Sequence, residues 1–473
     1  MEQHGCIFID ATWKDMLKAF WYTTQKGDRD KTKQELKAVL GGLEKCLPCF
    51  SVRSALDLFL SVMQFPKGSE ILMSAINIPD MVYIIEHHGL TVVPVDIDVG
   101  TLCPRYEDLK RLITPRTVSI LPAHIYGRWT SMDGIIKVAQ EHNLLVLEDC
   151  AESFSGLSDL GHPQSDLVFF SFGAIKYATA MGGAIVKVRN PEILEKMRAK
   201  LLSYPVFSES DYVERLFRYS VVMFLVNNPL VTKLGVKFLH YFSINYKEKI
   251  VSLLRGFPGN IIKKVRHQPS TSMLCMMLHK LQEFDGQEHT KAKINGDFVL
   301  NSLCEDILIP GYNADKMNYW LFPILVDNPT EWVKELEQER IEAYSGVTQL
   351  DLVKPKCYNQ NHPPDVEHEE AHSECPHDVE TKHKKNTNQS CPPINNTNFS
   401  SFGCINHDHA DLYPHKAKFL IDHVVYLPVH KRVPLKDLEY LCKCVLRVAQ
   451  RRQTGVASSK DLLLNEYKML SKL

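Results

Sequence analysis

A chain of 473 residues is too long for one simple core, so two structured domains with insertions are expected. Hydrophobic content of 44% and charged content of 23% are those of a globular protein, and a formal net charge of −1 gives no reason to expect nucleic acid or another polyanion as partner. Thirteen cysteines over this length are too sparse for a disulfide framework.

The N-terminus, Met1-Glu-Gln-His-Gly5, has no basic segment and no long apolar run, so no signal peptide is visible. A reducing, cytoplasmic setting is therefore expected, and the glycosylation sequons at Asn388, Asn395 and Asn398 carry little weight. Residues 1–50 read as a mixed N-terminal arm with a charged helical stretch around Lys31–Leu43. Within it Cys46-Leu-Pro-Cys49 has CxxC spacing, but no second pair accompanies it, and coincidence is the preferred reading.

From Ser51 to Val188 the pattern is α/β. Ser51–Met63 is an apolar helix. Glu70–Ala75, Thr91–Val95, Thr117–Leu121, Leu144–Leu147, Leu167–Phe170 and Ala184–Val188 are short apolar strands, and Met81–His88, Tyr106–Ile113 and Met132–His142 are helices between them. Strands alternating with helices at this spacing predict βαβ units and a mostly parallel sheet, and the nearly all-apolar strands predict that both of its faces are covered. The large domain is drawn as 51–285, with a helical apolar insertion at about 205–250. In that insertion Tyr219–Phe242 is unusually apolar but interrupted at Asn227-Asn-Pro229 and by Lys233 and Lys237. A membrane span needs roughly 20 uninterrupted apolar residues. Two short amphipathic helices fit better, and packing against protein is preferred over contact with a membrane surface.

Residues 318–353 and 411–448 return to β-then-α patterns and predict a smaller α+β C-terminal domain, drawn as 286–353 and 411–473. Between them, 354–410 is rich in His, Asn, Pro, Ser and Glu and poor in apolar residues. It cannot bury enough surface to offset its ordering entropy, and it is expected to be a disordered His-rich insertion. Its histidines and cysteines show no recurrent ligand spacing, so no metal is expected. No internal repeat is visible.

Two groups carry the chemistry. Leu144-Leu-Val-Leu-Glu-Asp149 is an apolar run that ends on a carboxylate. Asp166-Leu-Val-Phe-Phe-Ser-Phe-Gly-Ala-Ile-Lys176 passes from the next apolar run into a turn, and Met181-Gly-Gly-Ala-Ile-Val-Lys-Val188 follows at once. An acid closing one strand and a lysine just beyond the next are what a pyridoxal-phosphate enzyme requires. The lysine forms the Schiff base, and the acid keeps the pyridine nitrogen protonated.

Four segments, in order, resemble the DegT/DnrJ/EryC1/StrS family of pyridoxal-phosphate-dependent sugar aminotransferases. They are Gly89-Leu-Thr-Val-Val-Pro-Val-Asp-Ile-Asp98; Ile113-Thr-Pro-Arg-Thr-Val-Ser-Ile-Leu-Pro-Ala-His-Ile-Tyr-Gly127 with Met132-Asp133; Leu147-Glu-Asp-Cys-Ala151; and Phe170-Ser-Phe-Gly-Ala-Ile-Lys176 with Gly182-Gly183. The resemblance fades through 190–300 and returns at Val424-Val-Tyr-Leu-Pro-Val-His430. It implies an aspartate-aminotransferase-like PLP-dependent transferase fold, with a mostly parallel seven-stranded sheet, flanking helices and a smaller C-terminal domain. It also implies a homodimer with active sites at the interface, and amino transfer from glutamate or glutamine to a carbonyl acceptor, a nucleotide-linked keto sugar.

Residue by residue, the resemblance makes Lys176 the Schiff-base lysine and general acid/base, Asp149 the pyridine-nitrogen acid and Ser171 a phosphate ligand. Arg53-Ser54 falls at the phosphate-binding turn, at a helix N-terminus suited to an anion. Ile78 stands nearest the place of a ring-stacking aromatic. Glu152 stands where Gln or His approaches the phenolic oxygen of the cofactor. In Val265-Arg-His-Gln-Pro-Ser270, Arg266 takes the place of an asparagine that reaches the phosphate from the partner subunit, and a structural salt bridge is the other reading of it. His124 and Tyr126, at the end of a strand, are open between substrate contact and structural roles. Two rival readings stand beside the aminotransferase. One is a dehydratase using the same cofactor, which in some members goes with histidine at the lysine position. The other is a homologue without turnover, serving as a dimeric binding or membrane-associated module. Retention of Lys176 argues against the first, and retention of both Lys176 and Asp149 against the second.

Overall fold

A computed structural model describes residues 4–40, 45–227, 259–284, 286–346, 350–355, 413–452 and 459–470. Its centre is a seven-stranded sheet built from β1 (Cys46–Cys49), β2 (Glu70–Ser74), β4 (Thr91–Val95), β5 (Thr117–Leu121), β7 (Leu145–Asp149), β8 (Leu167–Ser171) and β9 (Ala184–Val188). Two-residue strands β3 (Ile76–Asn77) and β6 (Arg128–Trp129) lie outside it. The order across the sheet is β1-β9-β8-β7-β5-β2-β4. Neighbours from β4 to β8 run parallel, and β9 runs antiparallel to both β8 and β1. All five residues of β2 are buried, as are four of five in β7, β8 and β9, as a sheet covered on both faces requires.

The two prolines within these strands, Pro48 in β1 and Pro94 in β4, sit in the two edge strands, where a missing N–H breaks no interior ladder. The sheet thus takes in Cys46–Cys49, upstream of the position where the sequence reading begins the large domain. In a strand, residues three apart face opposite sides: Cys46 joins one core cluster and Cys49 the other. Burial pushes their thiols up to about 11 and about 12, respectively, as for inert core residues.

Helices cover the two faces. Val52–Met63 and Pro191–Leu202 pack together on one side, and the N-terminal helices Trp13–Thr24 and Arg29–Val39 pack against Thr271–Gln282 on the other. The arm is also tied to the rest of the chain. Asp10 accepts the Ala178 amide at 3.1 Å and pairs with Lys431 at 2.6 Å, and His4 meets Asp437 at 3.0 Å. Helix Glu209–Val226 ends at Asn227, whose side chain bonds both the amide and the carbonyl of Ile9. That end coincides with the Asn-Asn-Pro break read in the apolar 219–242 stretch; residues 228–258 lie outside the described residues. Among the described residues no helix is long and apolar enough to cross a membrane.

The smaller domain pairs β11 (Phe322–Leu325) antiparallel with β13 (Val424–Leu427) and packs helices Gly286–Leu303, Pro329–Gln338 and Leu435–Arg451 around fully buried Trp332, Phe322 and Leu441. Two short ladders join it to the large domain: β10 (Lys316–Met317) on β6, and β12 (Asp351–Leu352) on β3. The 354–410 insertion falls outside the described residues, apart from Lys354 and Pro355.

Candidate active site at the carboxyl ends of the parallel strands

Asp149 is the last residue of β7 and Ser171 the last of β8, so both emerge at the carboxyl edge of the parallel strands, where open α/β sheets bind ligands. Lys176 follows β8 in a tight turn closed by its amide on the Gly173 carbonyl at 3.0 Å. A cleft of about 570 Å³, its open mouth included, is lined by Ser51, Arg53, Asn77, Ile78, His124, Asp149, Glu152, Ser171, Lys176 and Leu350, among others. Six of the eight residues singled out from sequence as catalytic or cofactor-binding therefore line one cleft.

Lys176 is nine-tenths buried. Its Nζ donates to Glu152 Oε1 at 3.2 Å and lies 3.7 Å from the centre of the Trp320 ring, a cation–π contact. Burial lowers its pKa, Glu152 and Asp149 oppose that shift, and Arg53 adds to it. The other Glu152 oxygen accepts the Tyr126 amide at 3.0 Å. The carboxylate that the sequence places beside a phenolic oxygen is thus held in this structure by the amine and a backbone donor. Asp149 accepts the Ala151 amide at 3.0 Å, and its carboxyl is pushed up to about 6, first by burial and then by the charge of Glu152.

Ser51 caps the Val52–Met63 helix, its Oγ accepting the Ser54 amide at 3.1 Å. Ser51, which the sequence reading passed over, faces the cleft; Ser54, which it chose, is buried one turn in and bonded to the Ser51 hydroxyl at 2.8 Å. Arg53 lines the cleft and pairs with Asp80. Ile78 lines it as the N-cap of helix Pro79–His87. Arg266 lies outside the cleft lining of its own chain: its Nε and Nη2 bind both oxygens of Asp57 at 2.9 and 3.0 Å, the salt bridge that is one of its two readings. The reason is electrostatic: Asp57 is fully buried and needs a counter-charge, which Arg266 supplies, while His88 Nε2 lies 2.9 Å from Asp57 Oδ1.

His124 Nδ1 accepts the Thr130 amide at 3.0 Å, which leaves Nε2–H to donate to Glu148 at 3.0 Å. Burial pushes the Glu148 carboxyl up, but the bonds from His124, Ser165 and the His162 amide hold it down at about 2. Both ring nitrogens of His124 are thus engaged within the chain. Tyr126 is fully buried, with its hydroxyl 3.2 Å from that of Tyr426. Trp320 is the largest omission of the sequence reading. Its Nε1 donates to the Ile175 carbonyl at 2.8 Å, and the hydroxyl of Tyr177 donates to the Asn318 and Tyr319 carbonyls, so the smaller domain's edge clamps both sides of Lys176. No local pattern marks a residue so far along the chain.

The set fits pyridoxal phosphate in its donors. A buried acid can meet the pyridine nitrogen, a buried amine can reach the aldehyde, and a serine hydroxyl beside a helix N-terminus can seat the phosphate. With this sheet order, such a site defines a pyridoxal-phosphate-dependent transferase fold. The family model described as the DegT/DnrJ/EryC1/StrS aminotransferase family matches residues 8–380, and the chain belongs to that family, whose cofactor is pyridoxal 5′-phosphate. A GDP-perosamine synthase from Caulobacter vibrioides is 31% identical over 193 residues, which are 40% of this chain and 49% of that protein; the match thus spans about half of the relative's length. Among solved structures, Helicobacter pylori PseC, an aminotransferase involved in the biosynthesis of pseudoaminic acid, is similar with a TM-score of 0.59 at 15% identity, covering 94% of this chain and 99% of that one. NtdA from Bacillus subtilis with bound PMP is similar with a TM-score of 0.59 at 16% identity, covering 92% and 82%. At these identities the likeness concerns the fold, and it agrees with the aspartate-aminotransferase-like architecture expected from sequence.

Proposed function

We propose that this protein is a pyridoxal-phosphate-dependent aminotransferase that moves an amino group from glutamate or glutamine to a nucleotide-linked keto sugar, working as a homodimer. The observation that carries the reading is the convergence of buried Lys176 and Asp149 on one cleft. Two ionisable groups buried this deeply cost stability, and nothing in the packing of the sheet requires them. The family and the partial match to a GDP-perosamine synthase support the sugar acceptor.

Bound cofactor supplies the electron sink that makes amino-group transfer feasible. The residues supply the rest. The Asp149 carboxylate holds a proton on the pyridine nitrogen. Lys176, its ammonium form disfavoured by burial, presents a nucleophilic Nζ and then serves as the base that takes and returns the substrate proton. Glu152 Oε1, at 3.2 Å, is placed to exchange a proton with that Nζ, and the Trp320 ring covers it from water.

The test is the visible spectrum of purified protein with pyridoxal phosphate, before and after glutamate, alongside Lys176→Ala. The expected result is a band near the visible range that bleaches with glutamate and is lost or unresponsive in the variant. No band on addition of the cofactor would overturn the reading. A band indifferent to every amino acid would remove the aminotransferase part and favour another reaction on the same cofactor.

A further inference from the structure

Beyond Ser171 the cleft continues into a second compartment, lined by Phe50, Gly182, Arg215 and Tyr219 among others, with Ser51, Arg53, Ser171 and Lys176 shared by both. Arg215 stands on helix Glu209–Val226, in the region where the sequence resemblance has faded. Its guanidinium lies 5.0 Å from the Phe50 ring centre and 4.7 Å from that of Phe207. Among the described residues no carboxylate forms an ion pair with it, whereas Arg53 beside it is paired with Asp80. Burial pushes the pKa of Arg215 down; Tyr219 and Tyr212 oppose this, and the like charges of Arg218 and Arg53 add to it. Gly182 keeps the approach open, since a Cβ there would lie 2.8 Å from Arg215 Nη1.

A part-buried cation without a carboxylate partner is electrostatically unfavourable, and an anion that enters beside it offsets that cost. The compartment also holds the N-terminal end of the 12-residue Val52–Met63 helix and the Ser171 hydroxyl. These are donors suited to a tetrahedral oxyanion, and a guanidinium adds a planar pair of N–H groups. We propose that Arg215 binds the phosphate of the cofactor, in the same chain that carries Lys176. This rests on the cofactor reading above. It makes Arg215 the charged anchor of the phosphate, with Ser51, Ser171 and the helix end as its neutral donors.

A phosphate at this place has three sources: the cofactor's monoester, the pyrophosphate of a nucleotide sugar, and free phosphate. The experiment separates them. Dissociation constants of full-length cofactor-free protein are measured by absorbance titration for pyridoxal phosphate and for pyridoxal, and inorganic phosphate and a nucleoside diphosphate are each tested as competitors, in wild type, Arg215→Gln and Arg215→Lys. Losing a charge-assisted contact is expected to weaken pyridoxal phosphate on the order of 10- to 100-fold in Arg215→Gln. Pyridoxal binding should be unchanged, the Lys variant should recover part of the loss, and inorganic phosphate should compete against wild type more strongly than against the Gln variant. Equal weakening of both ligands would mean that Arg215 only supports the fold and would overturn the proposal. So would unchanged pyridoxal phosphate affinity, or a loss confined to competition by a nucleoside diphosphate, which would assign the charge to the substrate. Failure of wild type to bind the cofactor at all would instead sink the underlying cofactor reading, so the two failures are distinguishable.

Discussion

Burial pushes the Asp149 carboxyl up to about 6, so the group proposed to hold the pyridine nitrogen is a liability in cofactor-free protein. The sign follows from linkage. The folded-state pKa lies above the unfolded value of 3.8, so the penalty is absent below pH 3.8. It grows as pH rises and is complete above about 6. At 1.36 kcal/mol per pKa unit it amounts to about 3 kcal/mol at most. Asp149→Asn keeps an oxygen for the Ala151 amide and removes the charge. In cofactor-free protein the variant should melt a few degrees above wild type at pH 7.5, with the gap closing towards pH 4, while pyridoxal phosphate binds it more weakly. A melting difference independent of pH would show that burial of the charge is not its cause. Both Asp149 and Lys176 were legible in the sequence because each terminates or closely follows an apolar run, and strand ends are where this fold exposes side chains. Ser51 was not, because Ser51 and Ser54 are both consistent with a helix start and only the cap geometry separates them. Trp320 and Arg215 were not, because their contacts with the site are made by tertiary packing alone.

The elements of the sheet were legible for a related reason. Strands buried on both faces are apolar throughout, and their ends are punctuated by polar residues. Two elements lack that signature. Cys46–Cys49 is four residues long and contains proline, so nothing local distinguishes it from a loop. Helix Trp13–Thr24 went unread because Trp13, Leu17 and Trp21 lie on its exposed side, at 52, 70 and 56% exposure, which blurs the amphipathic stripe. The turn between β8 and β9 was flagged by its glycine pair, and the structure supplies the cause. Gly183 has φ of +88°, its amide bonds the Phe50 carbonyl at 3.1 Å, its carbonyl accepts the Phe172 amide at 3.0 Å, and a Cβ on it would lie 2.4 Å from Met277 Sδ. Gly183→Ala should cost about 2 kcal/mol or more, from backbone strain and crowding together. Adding Met277→Ala removes the crowding but not the strain, so in chemical denaturation the double variant should lose less stability than the sum of the two single losses. Strict additivity would show that the steric contact contributes nothing.

At the scale of the whole molecule, the match to the family runs from residue 8 to 380, although 356–412 lie outside the described residues. The ends flanking that stretch are both anchored. Upstream, Leu352 pairs with Ile76 and Asp351 with Asn77, next to Leu350 in the cleft wall. Downstream, the amides of Lys416 and Ala417 donate to Asp96 at 3.0 and 2.9 Å, and helix His415–His423 packs against the same Asp351–Leu352 strand. Two ends fixed on one side of the sheet need only a connection, and the entropy of closing a loop changes slowly with its length. Replacing residues 356–412 with a Gly/Ser linker of about 15 residues, which spans roughly 20 Å on average, should therefore leave the melting temperature and the pyridoxal phosphate affinity of the protein unchanged. A drop in both would mean that the linker strains the two anchors. A drop in affinity alone would mean that residues 356–412 contribute directly to the cleft beside Leu350, and the site would then extend beyond the wall formed by Lys176, Asp149 and Ser171.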